Sequence, residues 1–441
     1  MFGGGGKGGG GGGGGGFGGN QGGGRGNQGG SGGGRGGGRE FNGGRNKGGR
    51  GGGRDGGRGK GRGGGRGGGG KQQDGSAEAP MYKVCAFFAR TGNCRSGDNC
   101  QFQHDLVGIQ FQQRAHEGGI KSMGMIEGPR LITGGNDSTV KVWNLSTECS
   151  NEMTKATKGP VPEIQVNGTT IMWSVDEPLE GDGPGVPVGV TYLFDAASGN
   201  TLPLTRAADT PYTHPQEIRS IQVVVNEGVL YVVTGGGEGI ILVWRFDAAT
   251  STFVQLSRCE GHTRAVMALI MHDKFIWSGS ADRTLRVWDI TNGALVGSIA
   301  AAPGNPNGHS DIVSCMDRIP ALASDGEPYI VSGSVDQTVK LWKTDGSFIH
   351  SCSNGQSVTA LKFCENLGSL QTIIVGLSDG SITIRSCVSM GILFNLEHTI
   401  CNTKCIWAII PLGHNCFATG GDDGQLLVWR VFQDQIPDTS A

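Results

Sequence analysis

Short apolar segments bounded by Gly, Ser and Asp recur along most of this chain, and they predict β-strands joined by tight turns. The clearest copy begins with Glu-Gly-His at 260–262 and continues through Ser-Gly-Ser-Ala-Asp at 278–282. It ends in an apolar strand that carries Val287 and Trp288. The repeating unit is therefore a strand, a turn that contains Asp, and a second strand that ends in an aromatic residue.

Six further copies of this unit end at an aromatic residue or at its replacement: Trp143, Phe194, Trp244, Trp342, Arg385 and Trp429. Together with Trp288, these positions are 43 to 54 residues apart along the chain. A repeat of that length, built from short strands, is typical of a β-propeller. The pattern predicts an all-β fold with seven blades over residues 106–435 and a short tail over 436–441.

The repeat resembles the WD40 family, strongly in four units and loosely in three. The resemblance implies that the His, the Ser or Thr, the Asp and the Trp of a blade form a buried hydrogen-bonded network. The matching sets are His116, Thr133, Asp137 and Trp143; His262, Ser278, Asp282 and Trp288; His309, Ser332, Asp336 and Trp342; and His398, Thr419, Asp423 and Trp429. A His–Ser–Asp trio also occurs in hydrolases, but four copies at equivalent positions favour a scaffold over a catalytic site.

A strand without a blade of its own precedes the first repeat. Residues 107–111 are Val-Gly-Ile-Gln-Phe, and the final strand around 426–429 lacks an outer neighbour. Pairing of the two would remove an exposed sheet edge and close the ring. We therefore predict that the N-terminal strand completes the last blade.

The second repeat departs most from the pattern. Its loop around residues 177–187 is rich in Gly and Pro and is longer than the other loops. Only Thr169–Val175 and Val188–Phe194 read as strands there. We therefore expect the boundaries of this blade to differ from the repeat pattern by several residues.

Residues 1–80 have a different composition. They are mostly glycine and carry thirteen Lys or Arg against four acidic residues, a net charge of +9. With so few apolar side chains, the segment is predicted to be a disordered arm. Arg followed by two glycines at 35, 50, 62 and 66 resembles an RGG-type arm, which binds nucleic acid loosely through charge and stacking. Because the whole chain has a net charge of −2, the region after residue 105 is acidic, near −12.

Between the arm and the repeats, residues 81–105 hold Cys85, Cys94, Cys100 and His104 in a C-x8-C-x5-C-x3-H array. Three thiolates and one imidazole are the ligand set of a closed tetrahedral zinc site. The segment has too few apolar residues for a core of its own, so metal binding would supply most of its folding free energy, roughly 10–16 kcal/mol in zinc-finger peptides. We expect one structural Zn²⁺, because four protein ligands leave no position for a catalytic water.

The array resembles a CCCH-type zinc finger, a family that typically binds single-stranded RNA. The resemblance implies that bases stack on aromatic side chains between the ligands, and Phe88 and Phe102 match those positions. Phe87 is interpreted instead as a residue that packs beside the metal. The alternative is that all three rings pack there. Further contacts with nucleic acid are expected from Tyr82, Lys83, Arg90 and Arg95.

The chain has no N-terminal apolar segment typical of a signal peptide and no run of 18 apolar residues. Nine further cysteines lie in the repeats without metal-ligand spacing, and a Cys401–Cys405 pair has no nearby partner to complete a site. They are expected to be reduced core thiols, and the protein is expected in the nucleus, the cytoplasm or both.

One finger, a propeller and a glycine–arginine arm together resemble the plant CCCH-finger/WD40-repeat proteins. The resemblance implies a non-enzymatic adaptor: finger and arm bind RNA or DNA, and the propeller docks proteins, with no membrane or small-molecule substrate. The alternative is a WD40 substrate receptor or scaffold of a ubiquitin ligase or another assembly. Propellers of such receptors often carry Trp-Asp-x-Arg, whereas the nearest match here, Trp-Asp-Ile-Thr at 288–291, lacks the Arg.

Overall fold

The computed structural model divides the chain into two units, Met1–Gln73 and Asp74–Ala441. The first lies outside the described residues, as does the whole of the predicted arm over residues 1–80. The structure describes residues 82–91, 93–102, 104, 107–147, 149–168, 170–178, 187–194, 201–204, 213–303, 306–321, 326–367, 370–398, 402–413 and 415–432.

The finger contributes a short strand, one helix and a 3-10 turn, and all other elements are strands. The finger elements are β1 (Tyr82–Lys83), α1 (Ala86–Thr91) and the 3-10 turn Gly97–Asn99. The other strands are β2 (Val107–Arg114), β3 (Ile120–Ile126), β4 (Arg130–Gly135), β5 (Thr139–Asn144), β6 (Ser150–Ala156), β7 (Ile164–Asn167), β8 (Thr170–Pro178), β9 (Pro187–Phe194), β10 (Thr201–Leu204), β11 (Ile218–Asn226), β12 (Val229–Gly236), β13 (Ile241–Asp247), β14 (Thr252–Cys259), β15 (Val266–His272), β16 (Phe275–Ser280), β17 (Leu285–Asp289), β18 (Leu295–Ile299), β19 (Val313–Ile319), β20 (Tyr329–Ser334), β21 (Thr338–Lys343), β22 (Phe348–Ser353), β23 (Val358–Leu367), β24 (Leu370–Leu377), β25 (Ile382–Ser386), β26 (Ile392–Leu396), β27 (Ile406–Gly413), β28 (Cys416–Gly421) and β29 (Gln425–Val431).

These strands form seven sheets, antiparallel throughout the propeller strands β2 to β29, which confirms the predicted seven-bladed propeller. The sheets begin with β3, β7, β11, β15, β19, β23 and β27, and these seven strands line a central channel of about 390 Å³. We number the blades one to seven in that order. Apolar clusters between neighbouring blades form the core, and strand β20, which is buried at all six positions, shows that both faces of a blade are covered.

The ring closes as the sequence predicts. Strand β2 pairs antiparallel with β29, with Val107 opposite Val431 and Arg114 opposite Gln425. Blade seven therefore combines three C-terminal strands with one strand from the start of the propeller. This pairing covers the backbone edge that β29 would otherwise leave open.

Blade six has a fifth strand that the sequence did not reveal. Strand β1 of the finger pairs parallel with the outer strand β26, with Tyr82 opposite Phe394 and Lys83 opposite Asn395. A strand added at a sheet edge is held by backbone hydrogen bonds, which carry little sequence signal. The finger is thereby attached to the rim of the propeller.

The hydrogen-bonded network implied by the WD40 resemblance is present in blades one, four and five. In blade five, His309 Nδ1 lies 2.9 Å from Asp336 Oδ2, and His309 Nε2 lies 2.8 Å from Ser332 Oγ. The indole N–H of Trp342 donates to the same Ser332 hydroxyl at 2.9 Å. Equivalent contacts join His116, Thr133, Asp137 and Trp143, and His262, Ser278, Asp282 and Trp288. Each network ties the second and third strands of its blade to the segment that precedes the first strand.

Blade three carries a fourth network in which a Glu replaces the Asp. His214 Nδ1 lies 2.5 Å from Glu238 Oε1, and its Nε2 lies 2.8 Å from Thr234 Oγ1. Trp244 donates to Thr234 at the longer distance of 3.4 Å. The longer Glu side chain therefore keeps both contacts of the histidine ring, whereas the hydrogen bond from Trp244 is weaker than its equivalents in the other networks.

In blade seven, the assignment of His398 to the network is wrong. His398 is exposed, whereas Asn402 is fully buried in the position that His occupies elsewhere. Asn402 Nδ2 donates to Asp423 Oδ1 at 2.9 Å, and Thr419 Oγ1 donates to Asn402 Oδ1 at 3.1 Å. Asn402 precedes Thr419 by 17 residues, as His116 precedes Thr133, and this spacing was the missed signal.

Blades two and six replace the network with other contacts. In blade six, buried Arg385 stands where Trp is expected and donates to Asn354 Oδ1, Met390 O and Ser353 O at 2.6–2.9 Å. In blade two, Phe194 lies against Trp173 with ring centroids 5.4 Å apart. Strand β8 runs to Pro178, three residues beyond the predicted Val175.

The networks predict an acid-sensitive propeller. Burial lowers the pKa of His116 and of His309, and the adjacent carboxylates offset this only in part. Burial alone would raise the pKa of Asp336, but hydrogen bonds from His309 and Thr338 outweigh it and lower that pKa. Both kinds of group stabilise the fold above their unfolded pKa values, about 6.5 for His and 4 for Asp, and lose this contribution as the pH falls.

We therefore expect the melting temperature of the propeller to fall between pH 7.5 and pH 5, measured by tryptophan fluorescence. The same pH series on the Cys94→Ser variant, which lacks a zinc ligand, separates this effect from acid release of the metal. A melting temperature that stays constant or rises towards pH 5 in that variant would contradict the prediction.

Every cysteine in the described part of the chain is a free thiol. Burial raises the pKa of Cys259, Cys315 and Cys387 to about 12, as expected for thiols in apolar strands. Cys401, one half of the Cys401–Cys405 pair, lies outside the described residues. Within those residues, no helix has the length and apolar character needed to span a membrane.

Candidate metal centre and nucleic-acid interface

The finger brings its four predicted ligands to one point. Cys85 directly precedes helix α1, Cys94 begins a turn closed by Gly97 N–H donating to Cys94 O at 3.0 Å, and Cys100 directly follows the 3-10 turn. The three sulfurs and a ring nitrogen of His104 all lie within 4.8 Å of one another. Short turns between the ligands therefore converge on a site for one ion.

The donor set fits zinc. His104 Nε2 is buried and has no hydrogen-bond partner among the described residues, so it is available to bind a metal. A hydrogen bond from the Ser96 backbone lowers the pKa of Cys94 to about 6, which favours the thiolate that zinc requires. Zinc bound by three sulfurs at about 2.3 Å and one nitrogen would cross-link the whole finger. With four protein ligands its role is structural.

Phe88 supports the histidine ligand. Its ring lies parallel to the His104 imidazole, with centroids 4.5 Å apart and an interplanar angle of 5°. One face of Phe88 is thus occupied within the finger, and the side chain is half-buried. This contact orients His104 towards the sulfurs.

The interpretation of Phe87 as a packing residue is wrong, because its side chain is 72% exposed. Helical geometry explains the difference. Cys85, Phe88 and Ala89 are spaced three and four residues apart and share the inner face of α1, so Phe87 points to the opposite side. This periodicity was the signal for an outward ring. Phe102, the second residue after Cys100, is 44% exposed.

Among the predicted cationic contacts, Arg95 is exposed between Cys94 and Cys100. The backbone of Tyr82 and Lys83 forms β1, but the side chains of Tyr82, Lys83 and Arg90 lie outside the described residues. Of the candidate aromatic and cationic contacts, Phe87, Phe102 and Arg95 are exposed to solvent. Val84 and Ala89 of the finger are buried.

Two family models match this chain. "Zinc finger C-x8-C-x5-C-x3-H type (and similar)" covers residues 82–106. "WD domain, G-beta repeat" covers residues 109–144, 253–289 and 304–343. The matched repeats lie in blades one, four and five. The first match also includes most of β2, and the second includes most of β14, each of which directly precedes its blade in the chain. These are the three blades with complete His, Asp and Trp networks.

Similar proteins match this chain over part of its length. The chain is 26% identical over 229 residues to "Zinc finger CCCH domain-containing protein 17" of Oryza sativa subsp. japonica, over 48% of this chain and 45% of that protein. It is 36% identical over 345 residues to "Cell division control protein 4" of Saccharomyces cerevisiae, over 73% of this chain and 42% of that protein. The matches thus span less than half the length of these curated relatives.

A solved structure supports the fold alone. The computationally designed Ika8 protein superposes with a TM-score of 0.53 and 22% identity, over 73% of this chain and 99% of that chain. A CCCH finger indicates RNA binding, a WD40 propeller indicates protein interaction, and both are typically non-enzymatic domains. The site geometry and these matches identify the chain as a protein that combines one CCCH-type zinc finger with a WD40-repeat propeller.

Proposed function

We propose that this protein is a non-enzymatic adaptor that binds single-stranded RNA through its finger and docks protein partners on its propeller. The observation that supports this most is the solvent face of the finger. Phe87, Phe102 and Arg95 are all exposed, and each lies within two residues of a metal ligand along the chain. Exposed aromatic rings with a nearby cation form a platform on which unpaired bases stack.

The attachment of the finger leaves this face available. Strand β1 and the buried residues Val84 and Ala89 lie towards the propeller, so the finger cannot use those surfaces for a ligand. A structural zinc would hold both rings on one small rigid module. Such a module recognises only a short stretch of bases, since stacking supplies about 1–3 kcal/mol per base.

The basic arm would supply the remaining affinity. Its thirteen Lys and Arg residues precede the finger in the chain, and phosphate neutralisation by such residues gives binding that weakens steeply with salt. The stacking contacts of the finger depend less on salt. The two segments would therefore contribute separable parts of the binding free energy.

The propeller offers a surface suited to a protein partner at the mouth of its channel. Trp407 lines the channel near the start of the inner strand β27 and is 36% exposed. Its indole N–H donates to Asp422 Oδ1 at 2.7 Å, and Lys121 Nζ lies 4.1 Å from the ring centroid. An exposed Trp held in place by charged neighbours is the kind of residue that dominates protein interfaces.

The RNA-binding proposal is tested by affinity measurements on the full-length, zinc-loaded protein. We expect selection from randomised single-stranded RNA to enrich a short motif. Phe87→Ala and Phe102→Ala should each weaken binding of that RNA by about tenfold, because each removes one stacking platform. Fluorescence anisotropy at physiological salt, with single-stranded DNA as competitor, measures this effect.

Phe432→Ala is the matched control, because Phe432 is a similarly exposed phenylalanine on the propeller, 42% exposed. This variant should bind RNA as the parent does, and all variants should keep one zinc. Equal affinity of the parent, Phe87→Ala and Phe102→Ala for the RNA would overturn the assignment of this face. Tighter binding of the DNA competitor would indicate that the finger binds single-stranded DNA and not RNA.

A further inference from the structure

The finger lies at the seam where the propeller ring closes. On one side, β1 extends the outer edge of blade six by pairing with β26. On the other side, α1 packs beside β2, the strand that completes blade seven. The finger therefore bridges the last two blades, and blade seven is completed by the β2–β29 pairing.

Buried side chains reinforce this bridge. Val84 and Ala89 of the finger are 6% and 4% exposed. They belong to one apolar cluster that also contains Phe394 of blade six together with Trp429 and Val431 of blade seven. The same cluster contains Val107, the first residue of the closing strand. The buried residues of the finger therefore belong to the same apolar cluster as the residues where blades six and seven meet.

The first and last metal ligands lie next to the two strands that the finger connects. Cys85 comes two residues after the end of β1, and His104 comes three residues before the start of β2. Their ligand atoms approach within 4.8 Å across the site. A metal that binds both therefore ties the end of the blade-six strand to the start of the blade-seven strand. Without it, the covalent connection between these strands is the whole segment of residues 84–106, whose closure carries an entropic cost.

We propose that the zinc-loaded finger is a clasp for the propeller, so that zinc occupancy stabilises ring closure as well as the finger. Zinc binds only the folded arrangement of ligands, and that arrangement places β1 and β2 on the two blades they complete. Binding to the native state alone raises the free energy of unfolding of everything folded cooperatively with it. The proposal concerns the propeller and does not depend on nucleic-acid binding.

The chain supplies its own reporter for this coupling. All eight tryptophans lie in the propeller, and the finger has none. Tryptophan fluorescence therefore follows unfolding of the ring and not of the finger. We expect the melting temperature by this signal to fall by about 5 °C when the full-length protein is treated with a zinc chelator, and Cys94→Ser to show the same loss with zinc present.

A second variant separates the clasp from the metal site. Val84→Asp places a charge in the shared cluster but keeps all four ligands, and it should retain one zinc per chain by elemental analysis. Its ring should melt about 5 °C below that of the parent, and chelation should lower it little further, because the contact that transmits the metal's effect is already broken. Phe87→Asp, with the same new charge on the exposed side of α1, should melt as the parent does.

Hydrogen exchange provides a readout of the seam itself. The amides of β29 opposite β2 should lose protection in the chelated protein and in Val84→Asp, whereas those of β20 in blade five should not. Identical ring melting of the zinc-loaded and chelated parent would overturn the proposal. So would fully additive effects of chelation and Val84→Asp, because the two changes would then act independently.

Discussion

Deletion of residues 107–112 is expected to remove most of the stability of the propeller. The segment holds the register of β2 against β29, and it contributes fully buried Val107 and the partly buried Ile109 and Phe111 to clusters on both sides of blade seven. Loss of three apolar side chains from these clusters corresponds to about 5 kcal/mol. Whole domains are stable by only about 5–15 kcal/mol, so an open ring should be marginal.

Urea denaturation followed by tryptophan fluorescence measures this loss. The exposed edge of β29 should also make the variant associate, which size-exclusion chromatography detects. Deletion of residues 10–15, six consecutive glycines, is a control of equal length. A deletion variant with the parent's urea midpoint and elution volume would show that the ring does not depend on this strand.

The second large effect is expected from Asp336→Ala in blade five. Asp336 accepts hydrogen bonds from His309 Nδ1 at 2.9 Å, Ser310 N at 3.0 Å, and the amide and hydroxyl of Thr338 at 2.9 and 2.6 Å. The His309 side chain is wholly buried and would keep a polar nitrogen without a partner. We expect a loss of about 3 kcal/mol or more in the free energy of unfolding.

Asp379 occupies the equivalent turn of blade six and serves as the matched control. It accepts only from the amide and the hydroxyl of Ser381, at 3.0 and 2.5 Å, because this blade has no His–Trp network. Asp379→Ala should therefore cost about 1 kcal/mol, measured by the same denaturation. Equal losses in the two variants would mean that the turn, and not the network, carries the contribution of Asp336.

The sequence was sufficient for features that repeat or that follow from covalent spacing. Seven copies of one pattern predicted the number of blades, and the unpaired strand at 107–111 predicted the closure, because an exposed edge must be covered. The zinc ligands could be named because their spacing leaves few alternatives. In each case the information lies within a short stretch of chain or in a comparison of one stretch with another.

The features that were missed depend on contacts between distant segments or on chemical substitution. Docking of β1 on β26 uses backbone hydrogen bonds, which any residues can make. His398 was chosen for its residue type, whereas the structure selects Asn402 for its position. The sequence neighbours of Phe87 indicate packing beside the metal, but its direction on α1 determines that it is exposed. In blade two, Trp173 and Phe194 pack together in place of a hydroxyl and an indole.

The shared hydroxyl of the blade-five network fixes where the imidazole carries its proton. The Ser332 oxygen already accepts from the Trp342 N–H, so its single hydrogen is directed to His309 Nε2. That nitrogen is unprotonated, and the proton of the neutral ring then resides on Nδ1, facing Asp336. Asn402 has the same order of donor and acceptor: its NH₂ group donates to Asp423, and its Oδ1 accepts from Thr419. His116 makes the same contacts through Thr133 in blade one. The networks of blades one and five therefore hold their histidines in a single tautomer, which ¹⁵N spectra of these two imidazoles would display as matching ring shifts.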